Sequence, residues 1–180
     1  MTAAPFDRFA PTDPDAYRAL ARAWAASVTV VTVRRRADTV GEGRPRLDGF
    51  TATAFLTVSI EPPIVLVSAS NSGSAAAMLR DAECFAVSLL SSQQTAISEA
   101  FATPHDQRTE AWDLDGAPAD DDGAPLFAGA LGAFSARPRQ FVDAGDHTLV
   151  LGDVTALRLS PREADALVYT RRAYGVVRPE

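Results

Sequence analysis

Most of this chain alternates or groups its apolar residues with the short period expected of β-strands. The runs SVTVVTV at 27–33 and CFAVSLL at 84–90 consist largely of β-branched and other apolar residues, which favour strands. The pattern predicts strands at about 27–33, 51–57, 64–67, 84–90, 130–142, 147–160, 167–170 and 174–177.

Three other segments space their apolar residues as amphipathic helices do. They cover about 13–25, 75–81 and 93–102, and each follows a Ser, Thr or Asp residue suited to capping a helix. We expect each helix to pack one face on another part of the fold. The predicted inward residues are Tyr17, Leu20, Ala21 and Trp24 in the first helix, Ala75, Met78 and Leu79 in the second, and Ala96, Ile97 and Phe101 in the third.

Consecutive strands in this chain are joined by turns more often than by helical crossovers. A Gly- and Pro-containing segment at 37–47 separates the strands at 27–33 and 51–57, which predicts an antiparallel hairpin. Pro62 and Pro63 break the next pair, because proline has no N–H to donate to a sheet. The chain lacks the strand–helix repeat and Gly-rich loop of a parallel dinucleotide-binding sheet. The predicted fold class is mainly β with α insertions, arranged as a closed or split barrel.

A single domain is predicted over residues 13–180, preceded by a flexible arm at 1–12. A chain of 180 residues is long enough to bury one core without disulfides. The acidic stretch at 103–125 is rich in Pro and Gly and is predicted to be a surface excursion. We expect Trp112 and Leu114 to tie it to the body of the domain or to a second subunit.

Composition and charge narrow the class of protein. Hydrophobic residues make up 47% of the sequence and charged residues 22%, which is typical of a globular protein. The net charge of −6 disfavours nucleic acid as a partner. The sequence has no apolar run long enough to cross a membrane and no signal-peptide pattern, so we expect a cytoplasmic protein. The single cysteine, Cys84, lies in an apolar run and is predicted to be a buried thiol.

The candidate binding chemistry is concentrated between residues 48 and 74. Thr51, Thr53 and Thr57 fall on one face of their predicted strand, and the next strand leads into the small donors at 68–74. Backbone amides, hydroxyl groups and a helix N-terminus together bind phosphate without a large positive charge. This segment therefore predicts a phosphate site beside a strand face that could hold a flat polar ring. A solvated strand face and a plain helix cap are the structural alternatives.

His147 is the candidate functional histidine. It follows Gly145 and Asp146 at the start of a strand, where a turn would hold the imidazole at the rim of a barrel and Asp146 would orient it. A turn histidine bonded to its own backbone is the alternative. The other histidine, His105, lies in a polar loop and is expected to be inert. Two separated histidines and one cysteine do not make a metal site, so no metal is predicted.

Five motifs, in this order, resemble the flavin reductases that supply reduced flavin to two-component monooxygenases. They are AWAASVTVVTV at 23–33, GFTATAFLTVSIEPPIVLVSASNSGS at 49–74, CFAVSLL at 84–90, GDHTLVLG at 145–152 and LVYTRRAYG at 167–175. The resemblance covers about residues 14–178. It implies an FMN-binding split β-barrel that forms a homodimer, with the flavin near the subunit interface.

The activity that the resemblance implies is reduction of FMN or FAD by NADH or NADPH, with release of reduced flavin to a separate flavin-dependent monooxygenase. Residues 51–53 would lie against the flavin ring, residues 68–74 would hold the phosphate, and His147 would sit over the nicotinamide site as the catalytic residue. The implied cofactor-binding residues are Thr51, Ala52, Thr53, Ala54, Ser68, Ala69, Ser70, Ser72, Ser74, Tyr169, Arg171 and Tyr174.

Two other functions on the same barrel stay open from the sequence. One is a protein that holds flavin without turning it over, as a sensor or electron carrier. The other is an oxidase of the pyridoxamine phosphate type. The residues do not choose between FMN and FAD or between NADH and NADPH.

Overall fold

The computed structural model describes residues 9–35, 48–104, 107, 118–119 and 124–178. Helices in these ranges are α1 Pro14–Ala23, α2 Ala75–Asp81 and α3 Thr95–Ala102. The strands are β1 Ala26–Ser27, β2 Thr29–Arg35, β3 Asp48–Ala52, β4 Phe55–Ile60, β5 Pro63–Ser70, β6 Ala82–Leu89, β7 Pro118–Ala119, β8 Leu126–Phe127, β9 Gly132–Ala144, β10 His147–Leu159, β11 Ala166–Thr170 and β12 Ala173–Val177. None of the three helices has the length and apolar character needed to span a membrane.

Seven of the described strands form one antiparallel sheet in the order β3-β2-β6-β9-β10-β5-β4. β3 and β4 are the outer strands of this order, yet only Thr53 and Ala54 separate them along the chain. Such a short link between opposite edges requires the sheet to curl until the edges meet. The main-chain N–H of Ser68 on β5 donates to the Ala54 carbonyl at 2.9 Å, which joins the link to the strand beside β4. The predicted barrel, mainly β with α insertions, is confirmed.

The barrel encloses the main hydrophobic core. α2 adds Met78 and Leu79 to it, and Cys84 on β6 is a buried free thiol, as predicted. β2 and β6 are buried on both faces, which explains their nearly continuous apolar sequences. The strand residues of this core are Val31, Val33, Ala52, Val65, Val67, Ala69, Ala82, Phe85, Val87, Ala136 and Val150.

A second core attaches α3 and a small sheet to the outside of the barrel. The small sheet has the order β1-β11-β12. β2 contributes Val30, α3 contributes Ile97 and Phe101, and β11 contributes Leu167. Tyr174 on β12 packs against this cluster. The outer face of β2 and β3 is therefore covered, and α3 lies directly beside β3.

The predicted threonine strand at 51–57 is not one strand. β3 and β4 lie on opposite edges of the sheet, so Thr51 is on β3, Thr53 is in the link and Thr57 is on β4. These residues do not share one strand face, and that prediction is wrong. The sequence does not predict this division, because neither Gly nor Pro marks the link between the two strands.

The predicted β2–β3 hairpin is present, and the chain turns at the two prolines as predicted. β2 and β3 pair antiparallel, with Thr29 opposite Ala52. β4 and β5 pair around the two prolines, with Ile60 opposite Pro63. The proline pair therefore ends one strand and opens the next, as its missing N–H groups require.

α1 agrees with the predicted helix, but its expected packing surface is not found in the described part of this chain. The Asp13 carboxylate caps it by accepting from the N–H groups of Asp15 and Ala16, both at 3.0 Å. No residue of α1 is buried, and Tyr17 and Leu20 are 71% and 76% exposed. An amphipathic helix of this length needs tertiary packing to be stable in water.

The third predicted helix begins with a 3-10 turn, Ser92–Gln94, which Ser91 caps, and α3 follows it. A 3-10 turn advances the chain by about 120° per residue against 100° in an α-helix, so it rotates the helix face. Ile97 and Phe101 are buried as predicted, but Ala96 is exposed and Ser98 is fully buried.

Some predictions concern positions outside the described residues. They are the first eight residues of the flexible arm predicted at 1–12, the hairpin segment predicted at 37–47, the inert His105, and the anchoring residues Trp112 and Leu114.

Candidate functional site

Two predicted binding segments meet at one corner of the barrel. The ring segment, residues 51–54, ends in the link between β3 and β4, and the serine turn, residues 68–74, begins on β5. The main-chain hydrogen bond between Ser68 and Ala54 joins them. On the other side of β5, His147 opens β10 directly opposite Ser70 in the strand register. Neighbouring strands lie about 5 Å apart, so ring segment, serine turn and His147 form one group, which we call the site corner.

The serine turn is stabilised by its own hydroxyl groups. Those of Ser70 and Ser72 hydrogen-bond to each other at 2.8 Å, and Ser70 Oγ also accepts from the N–H of Ser72 at 3.3 Å. Gly73 and Ser74 are exposed, and within the described chain no group accepts a hydrogen bond from their main-chain N–H groups. These N–H groups and the Ser74 hydroxyl face solvent together and could bind an anion.

Ser74 does not cap α2 as predicted, although it stands at the N-cap position. Its side chain makes no capping hydrogen bond. Its φ of −83° and ψ of −12° are helical, whereas a capping residue is normally extended. The capacity to bind an anion therefore rests on the turn itself, because α2 has only seven residues.

A row of polar side chains braces the serine turn against β9 and β10. The N–H of Asn71 donates to the Asp146 carbonyl at 3.0 Å, and Thr148 Oγ1 donates to Asn71 Oδ1 at 2.7 Å. Arg80 Nη2 donates to Thr148 Oγ1 at 3.3 Å and pairs with Asp143 at 2.9 Å. Thr148 is fully buried, so water does not compete for its bonds. The brace fixes the turn relative to the start of β10.

His147 is oriented by the residue before it, as predicted. Its Nδ1 donates to Asp146 Oδ1 at 2.7 Å, and Gly145, with φ at +65°, makes the turn that allows this contact. The hydrogen bond from His147, with the positive charge of its protonated form, holds the pKa of the Asp146 carboxyl below its ordinary value. The imidazole is 43% exposed, so Nε2 is left to face a ligand.

The small residues of the ring segment and serine turn divide between core and surface. The side chains of Ala52 and Ala69 lie in the barrel core, so a ligand at these positions would meet main chain only. Thr53 and Ala54 are exposed, and Ser68 is partly exposed. Binding by these residues stays a prediction.

The predicted tyrosines form a second group on the small sheet. The rings of Tyr169 and Tyr174 meet edge to face with 5.2 Å between their centroids. The Tyr174 hydroxyl hydrogen-bonds to Ser98 Oγ at 2.9 Å, and the Ser98 carbonyl accepts from Thr51 Oγ1 at 2.6 Å. Tyr174 is thus tied to the ring segment through one residue of α3.

Arg171 lies at the tip of the hairpin between β11 and β12. Its main-chain N–H donates to the carbonyl of Arg22, at the end of α1, at 2.6 Å. Its side chain is exposed, and within the described residues it makes no hydrogen bond or ion pair with the site corner. Its predicted role in binding is not tested by this geometry.

Four residues that build these groups were missed by sequence reasoning. Asn71 lies inside the serine turn and Thr148 follows His147 directly, so both were near a signal. No local sequence pattern pointed to Arg80 or Ser98. Their partners, Asp143 and Tyr174, are 63 and 76 residues away along the chain.

A family model described as "Flavin reductase like domain" matches residues 21–178. Stachydrine N-demethylase reductase subunit Stc3 of Rhizobium meliloti (strain 1021) is 36% identical over 157 residues, which are 87% of this chain and 64% of that protein. FMN reductase (NADH) SmoA of Agrobacterium fabrum is 35% identical over 153 residues, 85% of this chain and 80% of that protein. The chain therefore spans slightly less than two thirds of the first relative.

A solved structure has the same fold. It is the NADH:FAD oxidoreductase SgcE6 of Streptomyces globisporus C-1027 in complex with NAD and FAD fragments, with a TM-score of 0.80 and 28% identity. The match covers 97% of this chain and 99% of that one. The antiparallel barrel closed through 53–54 is thus a split barrel of the flavin reductase type. The chain belongs to the flavin reductase like domain family.

Proposed function

We propose that this protein is an NAD(P)H:flavin oxidoreductase. It transfers hydride from NADH or NADPH to FMN or FAD and releases the reduced flavin to a separate flavin-dependent monooxygenase. The observation that carries the proposal is the site corner, where the ring segment, the serine turn and His147 adjoin in a chain of this family. The relatives include an FMN reductase using NADH and an NADH:FAD oxidoreductase, which supports the reaction and leaves the choice of flavin open.

The chemistry of the site corner fits a flavin substrate. Such a molecule has a flat polar ring at one end and a phosphate at the other. The exposed link at Thr53 and Ala54 offers main-chain groups that belong to neither neighbouring strand ladder. The N–H groups of Gly73 and Ser74, with the exposed hydroxyls of the turn, offer donors to a phosphate without a net positive charge.

The chain's contribution to the reaction is mainly positioning. The flavin, when bound, supplies the ring that accepts hydride. The protein binds both nucleotides and holds their rings in contact, which replaces a bimolecular encounter with a prearranged one. Because its Nδ1 is bonded to Asp146, His147 presents Nε2 to the nicotinamide ring and holds that ring in place.

Steady-state oxidation of NADH and NADPH with added FMN and FAD tests this function. We expect turnover with at least one of the four combinations. Failure of all four would refute the proposal. A tightly bound flavin that neither nicotinamide reduces would indicate a flavin-holding protein, and oxygen uptake with pyridoxamine phosphate alone would indicate an oxidase of that type.

His147→Ala tests the role of the histidine. We expect a decrease in the reduction rate of about 10²-fold, as is usual for loss of a positioned catalytic histidine, with little change in flavin affinity. Arg137→Ala is the matched control, because Arg137 is exposed on β9 and lies opposite Asp153 in the strand register, six residues along β10 from His147. Equal losses of rate and flavin affinity would show that His147 is a flavin ligand or a structural residue.

We further propose that the protein acts as a homodimer in the cytoplasm, where its nicotinamide substrate is available. α1 supports the dimer, because its apolar residues Tyr17 and Leu20, and Trp24 directly after it, are exposed in the subunit. A second copy of the chain would cover them and stabilise the helix. Light scattering on Leu20→Ser, with Arg18→Ser as control on the same helix, tests this surface. Persistence of the dimer in Leu20→Ser would exclude α1 from the interface.

A further inference from the structure

Ser98 is a polar residue in an apolar setting. It is fully buried on α3, next to Ile97 and on the same helix face as Phe101. A buried hydroxyl is unfavourable unless it is hydrogen-bonded, and alanine would fill a helix position at least as well. The reason for a serine must therefore lie in the bonds that it makes.

Ser98 makes its hydrogen bonds in two directions, one through its side-chain hydroxyl and one through its main-chain carbonyl. The Ser98 hydroxyl bonds to the Tyr174 hydroxyl at 2.9 Å, and the Ser98 carbonyl accepts from Thr51 Oγ1 at 2.6 Å. One residue of α3 thus connects β12 of the small sheet to β3 of the barrel. Tyr174 in turn meets the Tyr169 ring at 5.2 Å, so this hydrogen bond helps to orient both rings.

The Thr51 bond also limits what the threonine offers to a ligand. A hydroxyl group has one proton, and that of Thr51 is donated to the Ser98 carbonyl. Towards a ligand Thr51 can act only as an acceptor. Its side chain is therefore fixed and has a defined polarity.

We propose that Ser98 is a positioning residue that holds the ring segment and the tyrosine pair as one rigid wall of the flavin site. This inference rests on the proposed function, because it takes Thr51 and Tyr174 to face the flavin. Ser98 itself touches no substrate. Its effect on flavin binding comes from the hydrogen bond to Tyr174, and loss of that bond releases the tyrosine ring.

Four variants test the proposal by equilibrium flavin binding and urea unfolding. Ser98→Ala and Tyr174→Phe each remove the same hydrogen bond, and the double variant tests whether they act through it. Ser88→Ala is the matched control, because Ser88 is also fully buried and its hydroxyl accepts from the Phe127 N–H, but it has no bond to the ring segment.

We expect each single variant to weaken flavin binding by roughly two- to tenfold, the range for one lost hydrogen bond. The double variant should bind no more weakly than the weaker single variant. Ser88→Ala should lower the urea midpoint and leave the flavin dissociation constant unchanged. If Ser98→Ala does not fold, Tyr174→Phe tests the same bond without altering α3.

Unchanged flavin affinity in both single variants would overturn the proposal. So would losses that multiply in the double variant, or an equal loss in Ser88→Ala, since a general loss of stability would then explain the effect. If the wild-type protein reduces flavin normally under these outcomes, only the role of Ser98 fails. If the wild type neither binds nor reduces flavin, the proposed function fails with it.

Discussion

The hairpin between β11 and β12 turns through two arginines in a conformation that arginine disfavours. Arg171 has φ of +49° and Arg172 has φ of +64°, and Thr170 pairs with Ala173 across them. This two-residue turn with both φ values positive is normally made by Asn-Gly or Asp-Gly. Strain of this kind is often kept where a side chain serves a function, and Arg171 is a predicted cofactor-binding residue.

The strain can be converted into an expected change in stability for Arg172→Gly. A left-handed conformation costs a non-glycine residue about 1–2 kcal/mol. Glycine also makes the unfolded chain more flexible, which lowers the stability of the variant by about 0.4–1 kcal/mol. The variant should therefore be more stable by about 0.5–1 kcal/mol, which for a chain of this length raises Tm by about 1–4 °C.

Thermal unfolding of Arg172→Gly and Arg172→Ala measures this strain. Alanine removes the side chain but keeps the left-handed strain, so it should give no gain. An equal gain in both variants, or a lower Tm for Arg172→Gly, would refute the reasoning. Arg171→Gly should gain similar stability and, if its side chain binds the cofactor, should lose flavin or nicotinamide affinity that Arg172→Gly retains.

Two further predictions concern the core and the site corner. Gly152→Ala should lower the free energy of unfolding by about 1–3 kcal/mol, because the added Cβ would lie 2.5 Å from Cζ of the fully buried Phe85. Urea unfolding measures the change. Gly73→Ala is the control, because its added Cβ would have nothing within 4 Å, and it should keep the wild-type free energy of unfolding. Asp146→Asn should be less stable than the wild type at pH 5 to 6. The folded pKa of Asp146 is lowered by His147, so its contribution is present above the unfolded pKa and is lost as pH falls through the folded value. Urea unfolding between pH 2 and 6 should show the difference shrinking in acid, and a constant difference would contradict this origin.

The sequence was sufficient for most of the strands and for their antiparallel character, because that information is largely local. Apolar periodicity located β2, β6, β9 and β10, and the proline pair located the β4–β5 hairpin. The sequence did not predict that one strand ends and another begins at 53–54, since β-branched and apolar residues continue across these positions. Nor did it predict the turn at Arg171 and Arg172, because two arginines lack the residue types that mark such a turn.

For the candidate site, the sequence supplied the segments but not the contacts between them. His147 and Asp146 are adjacent in the chain, so their hydrogen bond could be predicted. The Ser98 bond to Tyr174 could not, since it joins residues far apart and a helix serine reads as a surface residue. Local patterns predict which residues are available, and the register of distant strands decides which of them meet.

The site corner lies where the chain passes from one edge strand, β3, to the other, β4. The hydrogen-bond ladders give a physical reason for this position. The last ladder pair of β3 is Ala52 with Thr29, and the first of β4 is Phe55 with Val67. Thr53 and Ala54 belong to neither ladder. Most of the described barrel commits its main-chain groups to neighbouring strands, but here some of them remain open to a ligand. The serine turn adds donors to the same corner, because its strand, β5, is the one that bonds to Ala54. The closure of the barrel and the proposed ligand binding therefore involve the same two residues.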